Sequence, residues 1–188
     1  MAIYIALLRG INVGGKNMIK MAELKKMCEA LGLNRVQTYI QSGNVLFEST
    51  EEESTLRKII ENEIEAVFGF SVNVIIRTSE ELKKIVADNP FSEEEVAAAE
   101  ASSVGECLYV SLLQEEPSSE GIEKLRVYQS DNEEFRINGR EVFLLFGHSV
   151  RNSKLANNLH KLNVPATVRN WKTINKLVTL ASAMEESR

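Results

Sequence analysis

The chain has 188 residues, 44% of them hydrophobic, and a formal net charge of -5. That apolar share excludes a disordered chain, the lack of any apolar run near 20 residues excludes a membrane helix, and the acidic balance excludes a general nucleic-acid coat protein. Its two cysteines, Cys28 and Cys107, stand far apart without metal-ligand spacing. With no basic leader and no cleavage-like site at the N-terminus, they read as buried thiols in a reducing cytoplasm.

Ile3–Leu8 is a short apolar strand. Met21, Leu24, Met27, Cys28 and Leu31 then follow helical spacing, and Gly32 supplies a stop. Val36–Ile40 and Val45–Phe47 read as strands around Gln41-Ser42-Gly43-Asn44. Thr50-Glu51-Glu52-Glu53 has the form of a capping box for a helix with Leu56, Ile59, Ile60, Ile64, Val67 and Phe68 on one face, ended by Gly69. Val72–Ile76 is the next strand. Residues 79–87 form a short helix broken at Asn89-Pro90, and 92–104 is a Glu/Ala/Ser-rich linker with some helix.

The same order then returns. Cys107–Leu113 is a strand, and Pro117 opens a helix with Ile122, Leu125 and Tyr128. Glu134–Ile137 and Glu141–Phe146 flank Asn138-Gly139, a strong hairpin signal. Ser153 caps a helix holding Leu155, Leu159 and Leu162, and Pro165 precedes a strand at Ala166–Arg169. Asn170 caps a last helix that buries Trp171, Ile174, Leu177, Val178, Ala181 and Met184. The expected fold class is α+β. It comprises two tandem βαββαβ ferredoxin-like units with antiparallel sheets, at 1–78 and 106–188, with a helical linker at 79–105 and a C-terminal helix.

Charge is segregated along this plan. Residues 1–47 carry six cations against two acids, 48–134 seven against twenty-two, and 135–188 nine against three. The stretch Leu8-Arg9-Gly10-Ile11-Asn12-Val13-Gly14-Gly15-Lys16-Asn17 packs three glycines into six residues and contains no carboxylate. That composition suits a loop that holds an anion. In a βαββαβ unit the first two strands run parallel, so the loop after strand 1 and the hairpin after strand 2 share an end. That end of the first unit collects Arg9, Asn12, Gly14, Gly15, Lys16, Gln41, Ser42 and Asn44. By the same topology one end of the second unit collects His148, Arg151, Asn152, Ser153, Lys154, Arg169, Asn170 and Lys172. Cations at helix N-termini are mildly unfavourable unless an anion joins them.

Other motifs weigh less. Gly10-x-x-x-x-Gly15-Lys16-Asn17 lacks the Ser or Thr of a P-loop, and no helix opens at Lys16. His148 and His160 have no second ligand at metal spacing, so no metal is expected. Ser42, Ser149 and Ser153 lack a nucleophile elbow. Glu51–Glu53 and Glu93–Glu95 read as solvated helix starts, Trp171 as core, and the aromatic pair of an RNA-recognition motif is missing.

Three blocks of the chain resemble a bacterial family, the domain of unknown function 1697. They are Leu8-Arg9-Gly10-Ile11-Asn12-Val13-Gly14-Gly15-Lys16, Tyr39-Ile40-Gln41-Ser42-Gly43-Asn44-Val45 and Thr167-Val168-Arg169-Asn170-Trp171-Lys172-Thr173. The resemblance implies a cytoplasmic α+β protein with two similar ferredoxin-like halves. It transfers no activity, ligand, cofactor or catalytic residue, but its blocks coincide with the polar ends described above.

The expectation is a binding module for a phosphate-bearing ligand, a nucleotide or a nucleic-acid backbone. Arg9, Lys16, Arg169 and Lys172 would supply charge, and Asn12, Asn44 and Asn170 hydrogen bonds. Two alternatives stand beside it: an enzyme on small phosphorylated or carboxylated substrates with His148 as acid–base group, and a protein-interaction module that offers the acidic region 48–134 to a basic partner. No cofactor and no membrane partner are expected, and the sequence leaves the oligomeric state open.

Overall fold

The computed structural model describes all 188 residues. The first six elements are β1 (Ala2–Leu8), α1 (Met21–Ala30), β2 (Asn34–Tyr39), β3 (Asn44–Ser49), α2 (Glu53–Phe68) and β4 (Val74–Thr78). Their sheet has the order β2-β3-β1-β4, and every neighbouring pair is antiparallel. β1 and β2 therefore run in the same direction without touching, and their C-terminal ends lie at one end of the sheet. β1 is buried along both of its faces, which is why it reads as a continuous apolar run. α1 buries Leu24, Met27 and Cys28, and α2 buries Leu56, Ile60 and Ile64, against Ala6, Leu8, Val45, Phe47, Val74 and Ile76. Tyr4 stacks on Phe47 with ring centroids 5.9 Å apart. Burial pushes the Cys28 thiol up to about 12, so it stays a protonated core residue.

Two more helices follow, α3 (Ser79–Ala87) and α4 (Glu93–Ser102). The second set of strands and helices is β5 (Leu108–Leu113), α5 (Ser119–Arg126), β6 (Glu133–Asn138), β7 (Glu141–Phe146), α6 (Lys154–Asn157), β8 (Ala166–Asn170) and α7 (Trp171–Glu186). Its sheet has the equivalent order, β6-β7-β5-β8, again antiparallel throughout. Its core gathers Leu113, Leu125, Phe135, Val142, Leu144, Phe146, Leu155 and Leu162. The chain forms two compact units, Met1–Lys84 with Asn175–Arg188, and Ile85–Ile174. The divisions fall within α3 and within α7. The last turns of α7 are tied to the first unit by Arg188, which bonds Glu48 at 2.9 Å and the Met1 carbonyl at 2.8 Å, and by Lys83 on Glu185 at 2.6 Å. Arg188 and then Arg35 hold the Glu48 carboxyl below the usual carboxylate range.

Three local expectations are corrected. The capping box at Thr50–Glu53 does not form. Ser49 Oγ accepts from the Glu51 N–H at 3.1 Å and the Tyr4 hydroxyl donates to the Glu51 carbonyl at 2.8 Å, so α2 starts behind Glu52 without a side-chain cap. Reciprocal Ser/Thr–Glu boxes occur instead at Thr78–Glu81 and Ser92–Glu95. The second-unit hairpin sits one residue later than Asn138-Gly139 implies. Asn138 pairs with Glu141, and of the two turn residues only Gly139 has positive φ, the pattern of a type II′ turn. The helix expected from Ser153 to Leu162 is broken into α6 and a 3-10 turn at Leu159–Leu162. At the break, Asn158 Nδ2 bonds the Lys154 carbonyl at 2.7 Å and so competes for the acceptor of the next helical turn.

Candidate ligand-binding surface

The loop after β1 is built as a small hairpin. The Leu8 N–H donates to the Gly43 carbonyl at 2.9 Å and the Arg9 N–H to the Asn73 carbonyl at 3.0 Å, so the strand end is held from both sides. Beyond it, Asn12 N–H donates to the Asn17 carbonyl and Lys16 N–H to the Val13 carbonyl, each at 3.1 Å. Gly14 and Gly15 make the turn with φ of 59° and 73°. Positive φ at both central positions is the type I′ geometry, which other residues resist. A Cβ at either glycine would meet nothing within 4 Å, so the turn projects into open space.

Asn12 fixes this hairpin to its neighbour. Its Nδ2 donates to the carbonyls of Ile19 at 3.0 Å and Gln41 at 2.8 Å, and its Oδ1 accepts from the Ile19 N–H at 2.8 Å. Ile11 and Ile19 are buried on either side of it. Gly43 lies so close that a Cβ there would sit 2.6 Å from Ile11 Cδ1. Asn44 is fully buried and donates to the Tyr39 carbonyl at 2.9 Å and Ser42 Oγ at 3.1 Å. The two sequence blocks thus meet, as their shared end of the sheet requires. Asn12, Ser42 and Asn44 act as internal fasteners: the side-chain amides of the two asparagines are occupied, and the Ser42 hydroxyl accepts from Asn44. Arg9, Gly14, Gly15, Lys16, Lys20 and Gln41 remain exposed. No ion pair neutralises Arg9, Lys16 or Lys20, and the first carboxylate in the chain is Glu23. Val13, Met18 and Ile40 are exposed among them, at 66%, 61% and 47%.

The polar end of the second unit is arranged differently. Arg169 is buried, with Nη1 donating to Thr167 Oγ1 at 2.7 Å and the Val168 carbonyl at 3.0 Å. Burial pushes its guanidinium down to about 10, so it stays charged at neutral pH but inside the protein. Asn170 Oδ1 accepts from the Thr173 N–H at 2.8 Å and caps α7, as its position suggested. Ser153 caps α6 through the Ala156 N–H at 2.9 Å. Lys154, Lys172 and Arg151 are the exposed cations here. His148 Nδ1 lies 2.9 Å from the Ser149 carbonyl, which can only accept, so Nδ1 carries a hydrogen. Its Nε2 lies 3.8 Å from Oε1 of the buried Glu133, an oxygen with no hydrogen-bond partner. One ring nitrogen is therefore held by the backbone, and the other makes no hydrogen bond.

One feature escaped the sequence reading. Arg136 forms a bidentate pair with Glu95 at 2.6 and 3.0 Å, donates to the Pro90 carbonyl at 2.7 Å, and lies 4.3 Å from the centroid of the Phe91 ring. Arg136, then the Ser92 N–H, holds the Glu95 carboxyl down at about 2. The segment read as a linker is thereby clamped to β6. The available signal was Ser92-x-x-Glu95, a capping box in its sequence form.

Two four-stranded antiparallel sheets, each in the order 2-3-1-4 with helical crossovers, define an α+β protein of two ferredoxin-like units. The model of the family described as "Protein of unknown function (DUF1697)" matches residues 1–143, and the chain belongs to that family. Among solved structures it is similar to the conserved bacterial protein SP0830 from Streptococcus pneumoniae. The two are 26% identical over 96% of this chain and 98% of that chain, with a TM-score of 0.72. Comparison with the curated proteins gives no match. No helix is long and apolar enough to cross a membrane.

Proposed function

We propose that the protein is a cytoplasmic binding module for a phosphate-bearing ligand, a nucleotide or a nucleic-acid backbone, with the 9–20 hairpin as its contact surface. The observation that carries this reading is the projecting type I′ turn, with Arg9, Lys16 and Lys20 exposed and unpaired in a stretch free of carboxylates. Cations held on a pinned loop release counterions when they meet phosphates, which favours binding in a salt-dependent way. Asn12, Gly43 and Asn44 serve by fixing the loop and Asn170 by capping α7, while Arg169 is taken up inside β8. Arg151, Lys154 and Lys172 are left as the charges that this end of the second unit can offer. The enzyme reading on His148 stands second: its Nδ1 is held by the Ser149 carbonyl and its Nε2 makes no hydrogen bond, but the sequence offers no nucleophile in an elbow to work with it.

Fluorescence anisotropy with labelled single-stranded and duplex oligonucleotides, competed by ATP, tests the proposal. Affinity is expected to fall steeply between about 50 and 200 mM salt. Arg9→Ala with Lys16→Ala should weaken binding about tenfold or more and flatten the salt slope by about 2. Binding that ignores both salt and the double substitution would overturn it.

A further inference from the structure

α4 is an unusual cover for a sheet. Its sequence is Glu-Glu-Glu-Val-Ala-Ala-Ala-Glu-Ala-Ser, and Ala99 is its one buried residue. Alanine side chains do not reach far enough to fill the space beside large neighbours. An open cleft of about 340 Å³ lies beside it, lined by Phe91, Val96, Ala97, Leu108 and Trp171 with Asn89, Glu93 and Glu100. That volume lies within the range of small-molecule sites. All of these residues belong to the second compact unit.

The lining has a definite chemistry. Trp171 supplies partly exposed aromatic surface and Val96 and Ala97 aliphatic surface, over a floor of buried Phe91 and Leu108. Glu93, Val96, Ala97 and Glu100 follow the i, i+3, i+4, i+7 spacing of one helix face, so the two carboxylates stand at the two ends of the apolar stripe. Neither carboxylate is in an ion pair, and no Lys or Arg lines the cavity. The field of Glu100 adds to burial in pushing the neighbouring Cys107 thiol up. Phe91 already carries a cation on its ring in Arg136, whose own charge is matched by Glu95. Aromatic faces and free carboxylates around an apolar floor attract a cation with an apolar body and repel an anion.

We propose that this cleft is a binding site for a small organic cation, an aryl- or alkylammonium compound, with its apolar body against Trp171 and Val96, over a buried floor of Phe91 and Leu108, and its charge toward Glu93 and Glu100. The site is independent of the phosphate-binding surface and has the opposite charge preference.

Trp171 is the single tryptophan of the chain, so its fluorescence reports on the cavity directly. Benzyltrimethylammonium, benzyl alcohol and benzoate, titrated into the full-length protein, separate the terms. The cation should give a saturable change in Trp171 emission, and the alcohol and benzoate should bind at least about tenfold more weakly. Glu93→Gln with Glu100→Gln should weaken the cation by about tenfold and leave the alcohol unchanged. Ala97→Phe, which fills the cavity, should remove the saturable change while the melting temperature is kept. Should that variant melt early, Ala97→Leu serves the same purpose with less bulk. Equal binding of the alcohol and the cation, cation affinity unmoved by the double substitution, or no saturable change with any probe up to about 10 mM would each overturn the proposal.

Discussion

Both units place an arginine at the fourth position of their last strand, Arg77 in β4 and Arg169 in β8. In each the arginine is buried, stands opposite an aliphatic residue of the first strand (Ile5 or Val110), and donates from Nη1 to the preceding carbonyl at 3.0 Å. The two differ in their crossovers. The first unit has a twelve-residue loop with its own hairpin between β1 and α1, where the second has only Gln114–Ser118 between β5 and α5. The second crossover is one 16-residue helix in the first unit and a series of short helical turns in the second. Strands and their register recur because one buried sheet dictates them, whereas loops at the sheet ends are free to diverge and to carry binding groups.

The largest test of this contrast lies in the crossovers. Leu56 in α2 and Leu155 in α6 are both fully buried. Leu56→Ala should cost about 3–5 kcal/mol, and Leu155→Ala about 2–3, because short helical turns settle into a cavity more easily than a continuous helix. Chemical denaturation of both variants measures the difference, and equal costs would break the comparison.

A smaller effect separates the glycines of the elaborated loop. Gly43→Ala forces a Cβ against Ile11 at φ +91°, and about 2–4 kcal/mol should be lost through strain and overpacking. Gly14→Ala meets nothing and should cost only about 1 kcal/mol, from its positive φ. Thermal melts give both values. A Gly14→Ala variant that melts normally yet binds oligonucleotides poorly would sharpen the division between fastener and contact surface.

Asn12→Ala and Asn170→Ala compare a loop fastener with a helix cap. Loss of the Asn170 cap should cost about 1 kcal/mol. The Asn12 side chain holds four hydrogen bonds and its loss should cost about 2–3 kcal/mol, with amide exchange faster at Ile19, whose N–H bonds to it. Equal exchange at Ile19 in the variant and the native protein would deny Asn12 that role.

The gentlest perturbation is acid. Glu95 titrates near 2 in the folded protein, below its unfolded value of about 4.3. A depressed carboxyl contributes stability above the unfolded value and loses it as pH falls through the folded one. The clamp of α4 on β6 should therefore hold at pH 5 and above and weaken between about pH 4 and 2. Trp171 emission follows it, and Arg136→Gln should move the change toward about pH 4. An acid response identical with and without Arg136 would remove that pair as its cause.

The sequence by itself determined the element order, the antiparallel sheets and the meeting of residues 9–17 with 39–45. Apolar periodicity and strand direction are local and topological properties, and they need no side-chain coordinates. Only the tertiary structure decided which polar side chains remain available. Asn12 and Asn44 carry the same groups whether they fasten a loop or bind a ligand, and the carbonyls that occupy them, of Gln41 in the β2–β3 turn and Tyr39 at the end of β2, meet them only in the folded sheet. Arg169 and Lys172 are both basic in the sequence, yet strand pairing carries the first into the interior and leaves the second in water. The cavity beside Trp171 was equally hidden, because it consists of what Ala97 and its neighbours fail to fill, and unfilled volume exists only between packed elements.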